Sequence, residues 1–207
     1  VAEHTHRASL PVAMDMWDPY VQATREALPE AERKIVFDRF HVMQHVTKAV
    51  DQVRKQENRR LVERDDDRLK KTKYLWLFSE ENLPEKRQAE FQKLKSSDLK
   101  TARAWALKEN LRHLWSYVTP GWAKRFFRGW YAWASRSRLE PIWEAAQTLW
   151  RRLDNIVTYA EHRLTNDVSE GLNSKIMAVK RRAAGFRNPI HFKTAIYFHC
   201  GGLEMHP

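Results

Sequence analysis

Two short apolar runs near the start of the chain each end in an aspartate. The first covers residues 11–14 and is followed by Asp15; the second covers residues 35–37, after Lys34, and is followed by Asp38. Short apolar runs are typical of buried strands, and a helical pattern follows each of them. Successive strand-helix units favour parallel neighbouring strands, so we predict that Asp15 and Asp38 lie at one edge of a small sheet, where ligands usually bind.

A helix is predicted after each strand. Asp18 and Pro19 form an N-cap followed by a proline at the first helical position, which gives Asp18 a structural role and leaves Asp15 without one. The second helix is predicted to begin near Phe40, because valines follow it at helical spacing.

From Leu69 to His162 the pattern is helical throughout. Helices are predicted over residues 99–115, 122–134 and 142–160, with breaks where Pro120 and Pro141 occur. We therefore predict an α/β, mostly helical fold, in which two parallel strands with their helices are interrupted by an all-α insertion.

Two more helices are predicted in the last part of the chain. Residues 168–184 follow a helical period, and at 100° per residue Glu170 falls on the face opposite the apolar positions. Gly185 is a helix stop, and Asn188 with Pro189 is a helix start, so a second helix closes the chain.

Glu170 stands in a strongly basic segment. From Gly171 to Leu203 the chain has six Lys or Arg residues and no Asp or Glu. Metal-assisted phosphodiester chemistry requires a carboxylate that holds a divalent ion beside cations that hold the nucleic acid. The structural alternative is a capping box, because Asp167 precedes Glu170 by three residues.

Composition limits the class of protein. The chain has 207 residues, a formal net charge of +11 and a single cysteine, Cys200. The charge points to an acidic partner, with nucleic acid first and an anionic membrane surface second. One cysteine excludes an internal disulfide framework and a zinc site built from several thiolates. There is no apolar run near the ~18 residues of a membrane span and no signal-peptide pattern, so we expect a cytoplasmic protein without a membrane partner.

Basic and aromatic residues are interleaved between Asn110 and Leu139, where six Lys or Arg residues and no acid occur. We expect the aromatic residues to build a helical core, with base stacking as the alternative, while the cations face a phosphate backbone. The predicted DNA-binding residues are Lys124, Arg125, Arg128, Arg136, Arg138, Lys175, Lys180, Arg181 and Arg187. An RNA-binding helical module is a further alternative, supported by this interleaving alone.

Four ordered motifs resemble one known family. They are Val12–Tyr20, Ile35–Val42, Thr165–Asn173 and Gly185–Asn188. Together they resemble the DDE transposases of bacterial insertion sequences, in the group called ISL-three type, over nearly everything after residue 10. The resemblance implies a partial ribonuclease-H-like catalytic domain formed by residues 11–62 and 163–207, an all-helical insertion over residues 63–162, and a tail over residues 1–10.

The resemblance also implies chemistry and partners. Asp15 looks like the family's second catalytic acid and Glu170 like its third, so both are expected to ligate Mg²⁺, with two ions in the complete enzyme. Asp38, His41 and Asn173 are expected to support them, since Asp38 and His41 match a D-x-x-H pair of related transposases. The structural alternatives are a helix cap for Asp38 and an ordinary first-turn position for His41. The implied partners are DNA and either further copies of the chain or a full-length transposase.

One departure from the family pattern changes the expected activity. The family has a first catalytic Asp on an early strand, after a zinc-binding and helix-turn-helix region, and we find no counterpart of either; Glu3 lies in the tail and is a poor substitute. We therefore expect a truncated chain with an exposed apolar sheet edge and no cleavage activity of its own. The alternative function is that of a non-catalytic remnant that binds DNA or inhibits a transposase.

Overall fold

The computed structural model describes residues 11–164 and 167–200, and of residues 167–170, 172 and 173 it describes the backbone alone. The fold is mostly helical with one two-stranded parallel sheet, as predicted at that level. The strands are β1 Val12–Met14 and β2 Ile35–Phe37. The helices are α1 Asp18–Ala27, α2 Ala31–Lys34, α3 Arg39–Val62, α4 Lys73–Leu77, α5 Glu85–Lys95, α6 Lys100–Arg112, α7 Pro120–Arg136, α8 Glu140–Arg151, α9 Leu153–Val157, α10 Tyr159–His162, α11 Asp167–Arg182 and α12 Pro189–Cys200.

The two strands pair in parallel, and α1 and α2 form the connection between them. Val12 pairs with Ile35 and Met14 with Phe37, and the backbone N–H of Asp38 donates to the carbonyl of Met14 at 3.0 Å, which extends the ladder by one bond. All of β2 is buried, whereas Val12 in β1 is half-buried. The exposed apolar sheet edge stays a prediction, because residues 1–10, which precede β1, lie outside the described residues.

The start of α1 differs from the prediction. Trp17 is the N-cap, Asp18 is the first helical residue, and no side chain caps the helix. The carboxylate of Asp18 instead binds the guanidinium of Arg152 at 2.6 Å. The single helix predicted over residues 142–160 is divided into three: Arg152 separates α8 from α9, and Thr158 separates α9 from α10.

The long helix α3 organises the core of the first unit. Its buried valines Val42, Val46, Val50 and Val53 recur at helical spacing, and the helix packs against α6 and α8. Near its C-terminal end, the carboxylate of Glu57 accepts hydrogen bonds from the backbone N–H groups of Lys100 and Thr101, each at 2.7 Å. These N–H groups open α6, whose own N-cap residue provides no side-chain bond, so α3 caps α6 from a distance of 43 residues in the chain.

A buried lysine joins α4 to α6. The Nζ of Lys108 donates to the carbonyls of Trp76, Leu77 and Phe78 at 2.9–3.0 Å. Burial lowers the pKa of Lys108, although the neighbouring carboxylate of Glu109 favours the charged form. The ammonium group satisfies carbonyls at the C-terminal end of α4, which a five-residue helix would otherwise leave without partners.

Several aromatic residues of the helical segment build the core, as predicted for them. The rings of Trp76, Phe91 and Trp105 meet edge to face with centroids 5.0–5.4 Å apart. Trp130 is buried in α7, and its indole N–H donates to the carbonyl of Leu107 at 2.8 Å. These contacts hold α4, α5, α6 and α7 together.

The chain divides into two compact units between Leu164 and Thr165. In the second unit, α11 and α12 pack on each other, and Phe186 lies against Phe192 with ring centroids 5.0 Å apart. Gly185 has φ +101°, and the side-chain oxygen of Asn188 accepts from the N–H of Ile190 at 2.8 Å. The predicted helix stop and helix start are therefore confirmed. None of the helices in the described residues combines the length and apolar character that a bilayer crossing requires.

Candidate catalytic edge of the sheet

Asp15 and Asp38 directly follow the two paired strands, so both lie at the carboxyl edge of the sheet. His41 in the first turn of α3 reaches the same place, where its Nε2 lies 2.8 Å from Oδ1 of Asp15. The side chain of Asp15 is 40% exposed and that of His41 25% exposed. The structure thus brings together three of the predicted site residues and leaves the Asp15 carboxylate accessible to a ligand.

Asp38 has a structural role in this arrangement. It is 1% exposed, and its Oδ1 accepts from the backbone N–H of Phe40 at 2.7 Å and from that of His41 at 3.4 Å. Asp38 is therefore the N-cap of α3, which was the structural alternative for this residue. The cap fixes the first turn of the helix, and that turn carries His41 toward Asp15. Any further catalytic support from Asp38 stays a prediction.

Glu170 and Asn173 lie on α11 in the second unit. The helix begins at Asp167, so Glu170 is its fourth residue. The side chains of Glu170 and Asn173 lie outside the described residues, as do Thr165 and Asn166 of the same motif. The meeting of Glu170 with Asp15 stays a prediction.

The described residues by themselves do not form a metal site. Among the side chains of residues 11–164 and 174–200, no group of three or more His, Cys, Asp and Glu residues is arranged to hold a metal ion. Asp15 offers one accessible carboxylate beside the imidazole of His41. Two magnesium ions need several oxygen ligands, so they fit here only if further carboxylates join Asp15.

The predicted DNA-binding residues differ in their surroundings. Lys124 is half-buried, and its Nζ pairs with the carboxylate of Asp154 at 2.6 Å, which offsets much of its charge toward an outside ligand. The other eight are exposed and available to a polyanion: Arg125, Arg128, Arg136, Arg138, Lys175, Lys180, Arg181 and Arg187.

Two concave surfaces were not predicted from the sequence. One is a cavity of about 800 Å³ near the amino ends of the strands, with charged groups of both signs such as Lys34, Arg151 and Glu161. The other is a groove of about 410 Å³ on α7, lined in part by Trp122 and Trp133. The expectation that aromatic residues of this segment build the core is wrong for these two tryptophans, which are 58% and 42% exposed. Their separation by eleven residues, three helical turns, was the available signal.

Comparison with known proteins gives one consistent result. The family model described as "Transposase", for the ISL3 group of DDE transposases, matches residues 3–196. The transposase for insertion sequence element IS1001 of Bordetella parapertussis is 31% identical over 184 residues, which cover 87% of this chain and 45% of that protein. The transposase for element IS1557 of Mycobacterium tuberculosis is 34% identical over 122 residues, which cover 59% of this chain and 27% of that protein. The chain therefore spans less than half the length of these relatives. No solved structure matches it.

Proposed function

Because the chain belongs to the ISL3-type family of DDE transposases, we propose that it provides the catalytic portion of an enzyme that cleaves phosphodiesters and transfers strands at the ends of an insertion sequence. The observation that carries the proposal is the Asp15–His41 pair at the carboxyl edge of two parallel strands. An accessible carboxylate held by an imidazole at this edge is suited to metal-assisted phosphoryl chemistry.

The proposed architecture is ribonuclease-H-like. Residues 11–62 and 163–207 form the catalytic part, and residues 63–162 form the helical insertion. Two features support it: a parallel sheet in which an aspartate directly follows each strand, and a series of helices without strands over the segment assigned to the insertion.

The proposed metal is Mg²⁺, held by Asp15 and Glu170. When bound, two ions stabilise the charge that develops on the attacking and leaving oxygens. Two residues of the chain orient the Asp15 carboxylate. His41 donates a hydrogen bond from Nε2 to Asp15, and Asp38 caps the helical turn that carries His41. Exposed cations such as Arg128 and Arg181 bind the phosphate backbone of the DNA partner.

Oxidative self-cleavage tests whether Asp15 and Glu170 share a metal ion. Fe²⁺ replaces Mg²⁺ in the intact chain, and ascorbate with peroxide then generates radicals that cut the backbone next to the metal ligands. We expect cuts near residues 15 and 170, and we expect both to disappear in Asp15→Asn and in Glu170→Gln. Asp98→Asn is the control, because its side chain is 94% exposed and belongs to another part of the fold. Cuts near residue 15 that persist in Glu170→Gln would show that the two acids do not act together.

A second candidate function is DNA binding without cleavage, which the exposed arginines of α7 favour. This function requires affinity for duplex DNA that falls steeply with salt and is independent of Mg²⁺. Nicking of terminal-repeat DNA by this chain that depends on Mg²⁺ and is lost in Asp15→Asn would favour the catalytic function, and it would overturn the expectation that the chain alone does not cleave DNA.

A further inference from the structure

The groove on α7 has an aromatic and basic lining. It is bounded by Trp122, Arg125, Gly129 and Trp133 on α7, and by Asn110 and Tyr117 on the opposite side. Its volume of about 410 Å³ lies within the range of about 300–1,000 Å³ that is usual for ligand sites. The groove lies wholly within the first unit, away from the Asp15–His41 pair.

The groove begins at the edge of the face of α7 that packs into the core, where Phe126 and Trp130 also line it, and extends onto a second, exposed face of the helix. At 100° per residue, Trp122, Gly129 and Trp133 fall within about 40° of one another around the helix. The face that packs into the core carries Ala123, Phe127, Trp130 and Ala134, all of them buried. Core packing therefore does not account for two large aromatic side chains on the groove face, and paired exposed aromatics of this kind mark interaction sites.

Gly129 is a second, independent observation. It occupies the tenth position of a 17-residue helix, where glycine is the least favourable residue after proline. A Cβ atom built on Gly129 meets no other atom within 4 Å, so the fold does not require glycine for lack of space. The absence of a side chain leaves the helix backbone open between the two tryptophans, which gives a flat ligand direct access to the groove floor.

The positive charge around the groove decides which kind of ligand it can bind. The guanidinium of Arg125 lies 5.2 Å from the ring centroid of Trp122, and no Asp or Glu occurs from Asn110 to Leu139. A second copy of this chain, whose net charge is +11, would bring its own positive charge against these cations. An aromatic, anionic ligand matches both the rings and the charge.

We propose that this groove binds unpaired nucleotides of a DNA strand. Eleven residues of helix separate Trp122 from Trp133 by about 16 Å, so one base stacks on Trp122 and another on Trp133, with the backbone at Gly129 between them and a phosphate beside Arg125. A base within a duplex has its faces covered by its neighbours, so the groove selects single-stranded or unpaired positions. The assignment of the polymer as DNA rests on the proposed function, whereas the stacking site rests on the groove itself.

Fluorescence polarisation of short labelled DNA tests the proposal on the whole chain without added metal, so that its outcome is separate from catalysis. The probes are an oligothymidine strand and a duplex of equal length. We expect Trp122→Ala and Trp133→Ala each to weaken binding of the single strand by about 5- to 150-fold while changing duplex binding far less. Tyr74→Ala is the matched control, since Tyr74 is an exposed aromatic residue outside the groove, and it should bind both probes like the wild type.

Gly129→Ala should separate the effect on stability from the effect on binding, because the two should change in opposite directions. Alanine favours the helix, so the melting temperature should rise by about 2–4 °C. The added methyl group occupies the groove floor, so single-strand affinity should fall in the same variant. Equal losses for strand and duplex in the tryptophan variants, an unchanged affinity in Gly129→Ala, or tighter binding of an RNA strand than of the DNA strand would each overturn the proposal.

Discussion

The imidazole of His41 holds the carboxylate of Asp15 through a contact of 2.8 Å between Nε2 and Oδ1. The two residues come from different elements, Asp15 from the end of β1 and His41 from the first turn of α3. The contact fixes the orientation of an accessible carboxylate before any ligand arrives, and preorganisation of this kind commonly governs the strength of a metal or phosphate site.

His41 should act as a positioning residue for Asp15. We expect His41→Ala to lower the yield of Fe²⁺-directed cuts near residue 15 by about 10- to 100-fold, because partners that orient a metal-binding carboxylate contribute about that much to metal affinity. His41→Gln should recover part of the loss, since its amide can still donate a hydrogen bond. The measurement is oxidative self-cleavage of the whole chain at limiting Fe²⁺, with thermal unfolding as the check on folding. His113→Ala, an exposed histidine elsewhere, is the control; a loss of equal size in His113→Ala, or no loss in His41→Ala, would contradict this role.

Asp51 should make stability depend on pH in the acidic range. Burial alone would raise the pKa of this carboxyl, but hydrogen bonds from Lys55 and Arg54 outweigh burial and hold the pKa below its ordinary value of 3.8. A lowered pKa in the folded state stabilises the fold above the unfolded pKa, and that stabilisation is lost as pH falls through the folded pKa.

The test is Asp51→Asn, studied by urea unfolding at several pH values. At neutral pH we expect the free energy of unfolding to fall by about 1–3 kcal/mol. As the pH falls below about 3.8 the difference from the wild type should shrink, and it should vanish below the lowered folded pKa, where Asp51 is protonated in both states. Asp98→Asn, whose side chain is 94% exposed, should show little difference at any pH. A constant difference for Asp51→Asn across the whole range would show that its ionisation is not involved.

Lys108 should be needed for the docking of α4. In Lys108→Met the apolar stem is kept, but the carbonyls of Trp76, Leu77 and Phe78 lose their shared donor. We expect a loss of about 2–3 kcal/mol in the free energy of unfolding. Hydrogen exchange should show faster opening of the amides of α4 in particular. Lys93→Met, at an exposed position of α5, is the control and should be near neutral.

Glu57 should stabilise the start of α6. Glu57→Ala removes the acceptor for the N–H groups of Lys100 and Thr101, so we expect a loss of about 1–2 kcal/mol, as for other N-caps. Chemical denaturation measures the change, and the exposed Glu144 provides the control substitution to alanine. Similar stability of the two variants would mean that water replaces Glu57 without cost.

The strands, the acids that follow them, and the helix stop and start at Gly185 and Asn188 were predictable because each depends on a local sequence pattern. Short apolar runs that end before an aspartate predicted the two strands. Gly185 predicted the end of α11 because glycine readily adopts the positive φ that a helix end requires. The capping role of Asp38 was also open to prediction, because an N-cap is read from its immediate neighbours.

Tertiary contacts decided what the sequence did not reveal. Glu57 caps a helix 43 residues away and Lys108 binds carbonyls about 30 residues away, distances at which no local pattern operates. The division of the helix at Arg152 likewise accompanies a contact with Asp18, 134 residues distant. Trp122 and Trp133 were expected in the core because they are tryptophans of the same helix as the buried Trp130. Only the side of α7 on which each residue lies distinguishes the two exposed tryptophans from the buried one.

Helix α3 carries His41 in its first turn and Glu57 sixteen residues later, about 24 Å along the helix axis. No glycine or proline interrupts the residues between them, so the segment behaves as a stiff rod. The rod is anchored to the sheet edge at one end and to the first turn of α6 at the other. We therefore expect a change in the position of the first turn of α6 to be transmitted along α3 to His41 and, through its contact, to the Asp15 carboxylate.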